Sequence, residues 1–402
     1  MPTYVFKAMD LAGIPARGEV EAVSKQAVAD QLKQRGLVVL DIAGKYRSME
    51  LNIELFARVK ADELAVATRQ LSTMVSSGMT ILRAIHVLET QSESKLLKET
   101  LGLVRLDVEA GLLLSDALER HPKVFNPLYV AMVRAGEAGG LLEQSLLRTA
   151  DQLEKDASLR RQVRSAMIYP ILIITFAITV MLALIAFLIP VFENVFKQFG
   201  GHLPPLTQFM VNFSHLINKQ WYLLFIVPGV GFFAFRRWKR SKMGRAQWDA
   251  FKLRIPMKIG TVVQKVCIAR WSRTLSSLTT AGVPIMQALD ITGMTAGNAV
   301  LEDAMASVIK SVKSGGTIAE PLSQAPVFPG MVASMVAVGE ETGALDAMLA
   351  KIADFYEDEV QTAVKSLTSI LEPAMILFVG AIVGVIVISM YLPLFSVYNS
   401  IH

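Results

Sequence analysis

Two long stretches of this chain contain no Asp, Glu, Lys or Arg, and they limit what it can fold into more than any other feature. One runs from Ala166 to Phe192, the other from Pro373 to the C-terminus. A helix needs about 20 apolar residues to cross the hydrocarbon core of a bilayer, so both are expected to span a membrane. The chain is 52% hydrophobic and 19% charged, and the charge is segregated outside these runs. A third segment, Trp221–Phe235, is apolar but short for a full crossing unless it is lengthened through His215–Asn218 with Lys219 snorkelling. Lys155, Arg160, Arg161 and Arg164 precede the first run, and Arg236, Arg237, Lys239, Arg240, Lys242 and Arg245 follow the short segment. Positive flanks stay in the cytoplasm, which places the N-terminus inside, the loop after the first run outside, and the C-terminal tail outside. The net charge of +5 is accounted for by these flanks, and no nucleic-acid partner is expected. A single cysteine, Cys267, excludes an intrachain disulfide and a Cys-based metal cluster. The N-terminal residues lack the apolar core of a signal peptide.

The chain also repeats itself. Arg69, Leu71, Ser72, Gly78, Ile81 and Ala84 recur 204 residues later as Arg273, Leu275, Ser276, Gly282, Ile285 and Ala288. After a one-residue slip, Phe125, Gly136, Glu137, Asp151, Glu154 and Pro170 recur as Phe328, Gly339, Glu340, Asp354, Glu357 and Pro373. Each copy ends in one of the charge-free runs. Two copies in the same orientation need one extra helix crossing back between them, which argues for the short segment as a span.

Within a copy, Leu64, Ala67, Leu71, Met74 and Val75 have helical spacing, and glycines at 78, 111 and 140 mark breaks. The first residues alternate as strands around Gly13, followed by a helix over Lys25–Arg35 and a strand over Val38–Ile42. The fold expected is therefore mainly α: a polytopic membrane protein with two repeated cytoplasmic antiparallel helical bundles, about three transmembrane helices and a small N-terminal α+β module. The expected divisions are the module at 1–50, a linker at 51–60, the first bundle at 61–165 and a span at 166–192. An extracytoplasmic loop at 193–216, a span at 217–236 and a basic linker at 237–261 follow. The second bundle at 262–371, a span at 372–398 and a tail at 399–402 complete the chain.

Arg69-Gln-Leu-Ser with Gly78, GEAGGL at 136–141 and Tyr169-Pro170, doubled as Arg273-Thr-Leu-Ser with Gly282, GEETGAL at 339–345 and Glu372-Pro373, resemble the inner-membrane platform family of type II secretion and type IV pili, GspF/PilC. The resemblance covers nearly the whole chain. It implies a scaffold that couples a cytoplasmic hexameric assembly ATPase to the extraction and polymerisation of pilin or pseudopilin subunits. Other inner-membrane assembly proteins and membrane lipid are implied as partners, and a homo-oligomer is expected.

No catalytic constellation accompanies this pattern. There is no G-x-x-x-x-G-K-[ST] loop, no H-E-x-x-H and no nucleophile elbow, and the five histidines have no ligand spacing. No enzyme activity, cofactor or metal is expected. A transporter or channel is the alternative reading, disfavoured because the charge-free runs hold no ionised residue to mark a pathway.

Several residues admit two readings. Glu137 and Glu340, beside Gly136 and Gly339, sit at turns before long helices, where a carboxylate favours the helix N-terminus; the alternative is a docking or hinge point. Arg69 and Arg273 lie on otherwise apolar helix faces and are expected to pair with a carboxylate inside the chain, or else to meet a partner. Asp151 with Glu154, and Asp354 with Glu357, are neighbours three apart on a helix. They form a solvated face, a divalent-cation site or a surface for a basic partner. Pro170, with Glu372-Pro373, suits the first turn of a helix or kinks a continuous one where the bundle meets the membrane. Gly380 and Gly384 form a G-x-x-x-G for helix packing within the chain or between protomers.

Overall fold

The computed structural model describes residues 3–10, 15–21, 25–34, 36–44, 59–198, 205–220, 222–256 and 258–401. The chain divides into two units, 1–57 and 58–402.

The first unit is a three-stranded antiparallel sheet with one helix. Strands β1 (Thr3–Asp10) and β2 (Pro15–Glu21) precede helix α1 (Lys25–Gln34), and β3 (Leu37–Gly44) closes the sheet in the order β2-β1-β3. Alternation puts Phe6 and Ala8 on one face of β1, and the four-residue spacing of Val28 and Leu32 sets them together on α1; these four form its core. Gly18 stands opposite Phe6 in the register, and any Cβ there would meet the Phe6 ring at 3.0 Å. Gly13 and most of the expected 51–60 linker lie outside the described residues.

The second unit opens with the first repeat: α2 (Ala61–Ser76), α3 (Ile81–Gln91), α4 (Lys95–Glu109), α5 (Leu114–Glu119), α6 (Pro127–Ala138) and α7 (Leu142–Ala183). The turn between α2 and α3 requires Gly78, which has φ +82°. Its neighbour's amide, Met79 N–H, reaches back to the Met74 carbonyl at 3.0 Å, closing the helix end as an αL glycine permits. Asn126 caps α6 by accepting from the Tyr129 amide at 2.8 Å, with Pro127 at the first helical position. Leu71, Ile85, Leu101, Val104, Phe125 and Val133 fill the core of this bundle.

Helix α7 runs without interruption through Pro170, widens into a π-helical stretch at Leu184–Leu188 and continues as α8 (Ile189–Gln198). Helix α9 (Pro205–Lys219) follows, so the expected loop at 193–216 is largely helical. Helix α9 ends at Lys219, and α10 spans Leu223–Arg240. The expected span at 217–236 is thus not one helix: the uncharged part of α10, Leu223–Phe235, reaches about 20 Å at 1.5 Å per residue, against about 30 Å of hydrocarbon. Among the described residues, two helices are long and apolar enough to cross a membrane, Leu142–Asn194 and Leu345–Ser389, and their most apolar stretches are only 11% buried.

The expected basic linker at 237–261 is also structured. Helix α11 (Lys242–Arg254) docks on the second bundle, where buried Asp249 accepts from the Ala299 amide at 3.0 Å and pairs with Lys252 at 2.6 Å. The second repeat comprises α12 (Ile259–Thr280), α13 (Ile285–Thr295), α14 (Ala299–Lys313), α15 (Ala319–Gln324), α16 (Gly330–Thr342) and α17 (Leu345–Ile401). Trp271 is fully buried and meets Phe328 edge-on at 4.9 Å. This second core takes in Leu128, Ala131 and Met132 from α6 of the first repeat, so the two bundles share an apolar seam.

Candidate functional site

The repeated polar residues meet at one place in each bundle, where the first helix packs along the long one. Arg69 on α2 donates from Nε and Nη2 to both Glu154 oxygens on α7, at 2.7 and 2.8 Å, and from Nη2 to Asp151. Arg273 on α12 repeats this with Glu357, at 2.8 Å, and Asp354 on α17. A planar guanidinium accepts two carboxylates in this geometry, and the three-residue spacing of the acids on one helix face puts both within reach. The Arg69 hydrogen bonds hold Glu154 below the ordinary carboxylate value. At Asp354, partial burial pulls upward but the bonds from Arg273 and the charge of Lys155 outweigh it, and its value is lowered. The acids are thus engaged by arginine inside each bundle, while Asp151, Glu154 and Asp354 also remain open to solvent. Among the described residues no group of three His, Cys, Asp or Glu side chains could hold a metal.

Glu137 and Glu340 do not cap the helices that follow them. They sit inside α6 and α16, near C-terminal ends where a negative charge is unfavourable along their own helix. Each reaches across the bundle instead. Glu137 accepts from the Leu114 and Ser115 amides at 2.6 and 2.9 Å, the start of α5; Glu340 accepts from Ile318 and Ala319 at 2.6 and 2.9 Å, the start of α15. Neither short helix has a side-chain cap at its own N-cap residue, so a distant carboxylate satisfies the orphan amides. Gly136 and Gly339 are contact glycines: a Cβ at 136 would lie 3.2 Å from Leu142 Cα and overlap Ser145, and one at 339 would lie 3.0 Å from Leu345 Cα. The turns themselves fall later, at Gly140 and Gly343, with φ +67° and +70°.

Pro170 and Pro373 are interior to continuous helices; neither begins one. Each lacks an amide hydrogen and so leaves the carbonyl four residues earlier without its helical partner. Pro170 is buried, while Glu372 and Pro373 are exposed. A Cβ at Gly380 or Gly384 would meet nothing within 4 Å, so the G-x-x-x-G packs on no other helix of this chain among the described residues.

Contacts between the two bundles had no motif to announce them. Ser277 donates to Gln152 at 2.8 Å, Arg270 to Asp156 at 3.0 Å and Arg148 to the Thr280 carbonyl at 2.6 Å. Each joins α7 of the first repeat to α12 of the second. Lys155 adds a link to Asp354 at 3.7 Å. This arrangement ties a bundle to a membrane-length helix twice, and the two bundles to each other.

The family model described as "Type II secretion system (T2SS), protein F" matches residues 67–190 and again 271–393, and the N-terminal domain model of the same protein matches residues 1–43. A protein of Thermus thermophilus named "Type IV pilus assembly protein PilC" is 42% identical over 100% of this chain and 99% of its own length. One of Myxococcus xanthus with the same name is 41% identical over 99% of this chain and 96% of its own length. A Xanthomonas campestris protein named "Type II secretion system protein F" is 33% identical over the full length of both. The chain belongs to the type II secretion system protein F family.

Proposed function

We propose that this protein is the inner-membrane platform of a type IV pilus assembly machine, or of a closely related type II secretion machine. The observation that supports it most is the doubled unit: each copy is a helical bundle clasped by an arginine to a single helix that continues, through a proline, into a membrane-length apolar run. Such a unit transmits movement of the bundle to the membrane without performing chemistry. The higher identity to the two relatives named for pilus assembly, 42% and 41% against 33%, favours the pilus reading.

In this reading the chain crosses the membrane three times, with α10 as the return crossing and its arginines and lysines at the cytoplasmic face. Both bundles and the N-terminal module then face the cytoplasm. A hexameric assembly ATPase acts on them, and pilin or pseudopilin subunits are lifted from the bilayer beside the apolar helices. The family's chain has no nucleotide loop of its own, so the partner supplies ATP hydrolysis.

Purification of the full-length chain in mild detergent tests this. A P-loop ATPase and short proteins with pilin-type apolar N-termini are expected to co-purify. Their absence, together with normal filament assembly in a strain lacking the chain, would remove the proposal.

A further inference from the structure

The internal interface between the bundles is head-to-tail, which leaves each of its two faces open once. The first repeat contributes α6 and α7, and the second contributes α12, α13 and α17. By the repeat, the second copy's equivalent of the α6–α7 face is α16–α17, and the first copy's equivalent of the α12 face lies on α2. In the first copy, Leu128 and Gln152 are 5% and 4% exposed beneath the second bundle. Their counterparts Met331 and Phe355 are 41% and 46% exposed, and Val338, the counterpart of Ala135, is 48% exposed. The opposite face shows the same pattern: Val66, in the place of Arg270, is 57% exposed, and Thr73 and Ser76 beside it are open.

We propose that α16–α17 of one protein molecule docks on α2 of a second copy, reproducing between chains the contact that joins the two bundles within one. The register follows from the internal contacts. Ser277 on Gln152 becomes Thr73 on Phe355; Thr280 on Arg148 becomes Ser76 on Lys351; Arg270 on Asp156 becomes Val66 beside Glu359. Val66, Thr73 and Ser76 lie on one face of α2, and Lys351, Phe355 and Glu359 lie on one face of α17. The substitutions suit a contact between chains: a polar pair at 277 and 152 is replaced by a phenylalanine that water would otherwise surround, and an arginine at 270 by a valine. Exposed Met331, Val338 and Phe355 on adjoining helices form an apolar face of the kind that marks an interface. A second copy is the occupant because the chain already contains the complementary surface, in the matching register and at the unused end. The contact is heterologous, so it closes into a ring where the rotation between chains allows. It goes beyond the platform reading and needs only that both bundles lie on one side of the membrane.

The test uses the full-length chain in native membranes, with Cys267→Ser as background and two differently tagged copies co-expressed. Thr73→Cys on one copy and Phe355→Cys on the other are expected to give a disulfide-linked dimer carrying both tags, as are Ser76→Cys with Lys351→Cys. Leu106→Cys with Phe355→Cys is expected to give at least tenfold less. Phe355→Glu is expected to lower co-purification of the two tags at least tenfold while the chain keeps its abundance in the membrane. Cross-linking only between identical positions, such as Thr73→Cys with itself, would overturn the proposal by showing a symmetric contact. So would tag co-purification unchanged by Phe355→Glu, or no heterologous cross-link in either pair. An ATPase lost on Phe355→Glu with self-association intact would assign the face to that partner and equally overturn it. The platform reading fails separately, by the co-purification described above.

Discussion

At the residue scale, each polar side chain that the repeat singles out acts at a distance in sequence. Glu137 is the clearest case, because it holds two amides of a helix that begins 23 residues earlier. Charge-assisted hydrogen bonds of this kind stabilise by about 1.5–3 kcal/mol, and leaving buried amides unpaired costs a similar amount. Glu137→Ala is therefore expected to speed hydrogen exchange at Leu114 and Ser115 and to lower the thermal midpoint, with Glu340→Ala doing the same at Ile318 and Ala319. Unchanged exchange at those four amides would show that the carboxylates do not cap. The arginine clasps predict an acid sensitivity. Glu154 and Asp354 are held below their ordinary values of 4.5 and 3.8 by Arg69 and Arg273. A lowered carboxylate contributes stability that is present above its unfolded value and lost as pH falls through the folded one. Thermal stability should accordingly be flat on this account from neutrality to about pH 5 and decline below 4.5. Glu154→Gln and Asp354→Asn should be less stable at neutral pH and show a shallower acid limb; an acid limb as steep as the parent's would mean the clasps contribute nothing.

At the element scale, the platform reading assigns transmission of force toward the membrane to the long helices α7 and α17. Each passes through a proline that removes one backbone hydrogen bond and crowds the preceding turn. Replacing Pro170 and Pro373 by Ala restores those bonds and should stabilise the helices by up to about 3 kcal/mol. We expect the doubly substituted chain to be more heat-resistant in detergent and to support fewer surface filaments, counted by electron microscopy. Wild-type filament numbers would show that the prolines have no part in transmission. The π-helical stretch at Leu184–Leu188 lies inside the first apolar run and has no counterpart in α17, so the two membrane helices are related by sequence but differ in local geometry.

At the scale of the whole molecule, the two bundles are copies that do not have equal surroundings. One buries its α6–α7 face and the other leaves the matching face open. This asymmetry has meaning only if both bundles occupy the same compartment. Reporter fusions at an exposed position of each bundle, for example after Glu93 and after Ser314, are expected to read as cytoplasmic, and one at Gln208 as extracytoplasmic. Bundles reporting on opposite sides would break the three-crossing arrangement, and with it both the platform reading and the head-to-tail contact.

Local pattern was enough to read much of this protein. Uncharged runs announce helices that belong in hydrocarbon, because ionised groups are costly there. The 204-residue recurrence announces a duplicated unit, and αL glycines such as Gly78 and Gly282 place its turns, because only the missing Cβ makes that backbone geometry cheap. An arginine on an apolar helix face implies a partner carboxylate within the chain. Which acid, and what Glu137, Gly136 and Gln152 touch, depended on how helices far apart in sequence cross. The helices at 189–198, 205–219 and 242–254 escaped notice for a related reason: α8, α9 and α11 are mixed in polarity, and α11 is ordered by packing on the second bundle through Asp249. Sequence periodicity specifies which face of a helix is apolar, but the partner that covers that face is selected by shape and register in three dimensions. That is why two copies of one pattern end with one face covered and one bare.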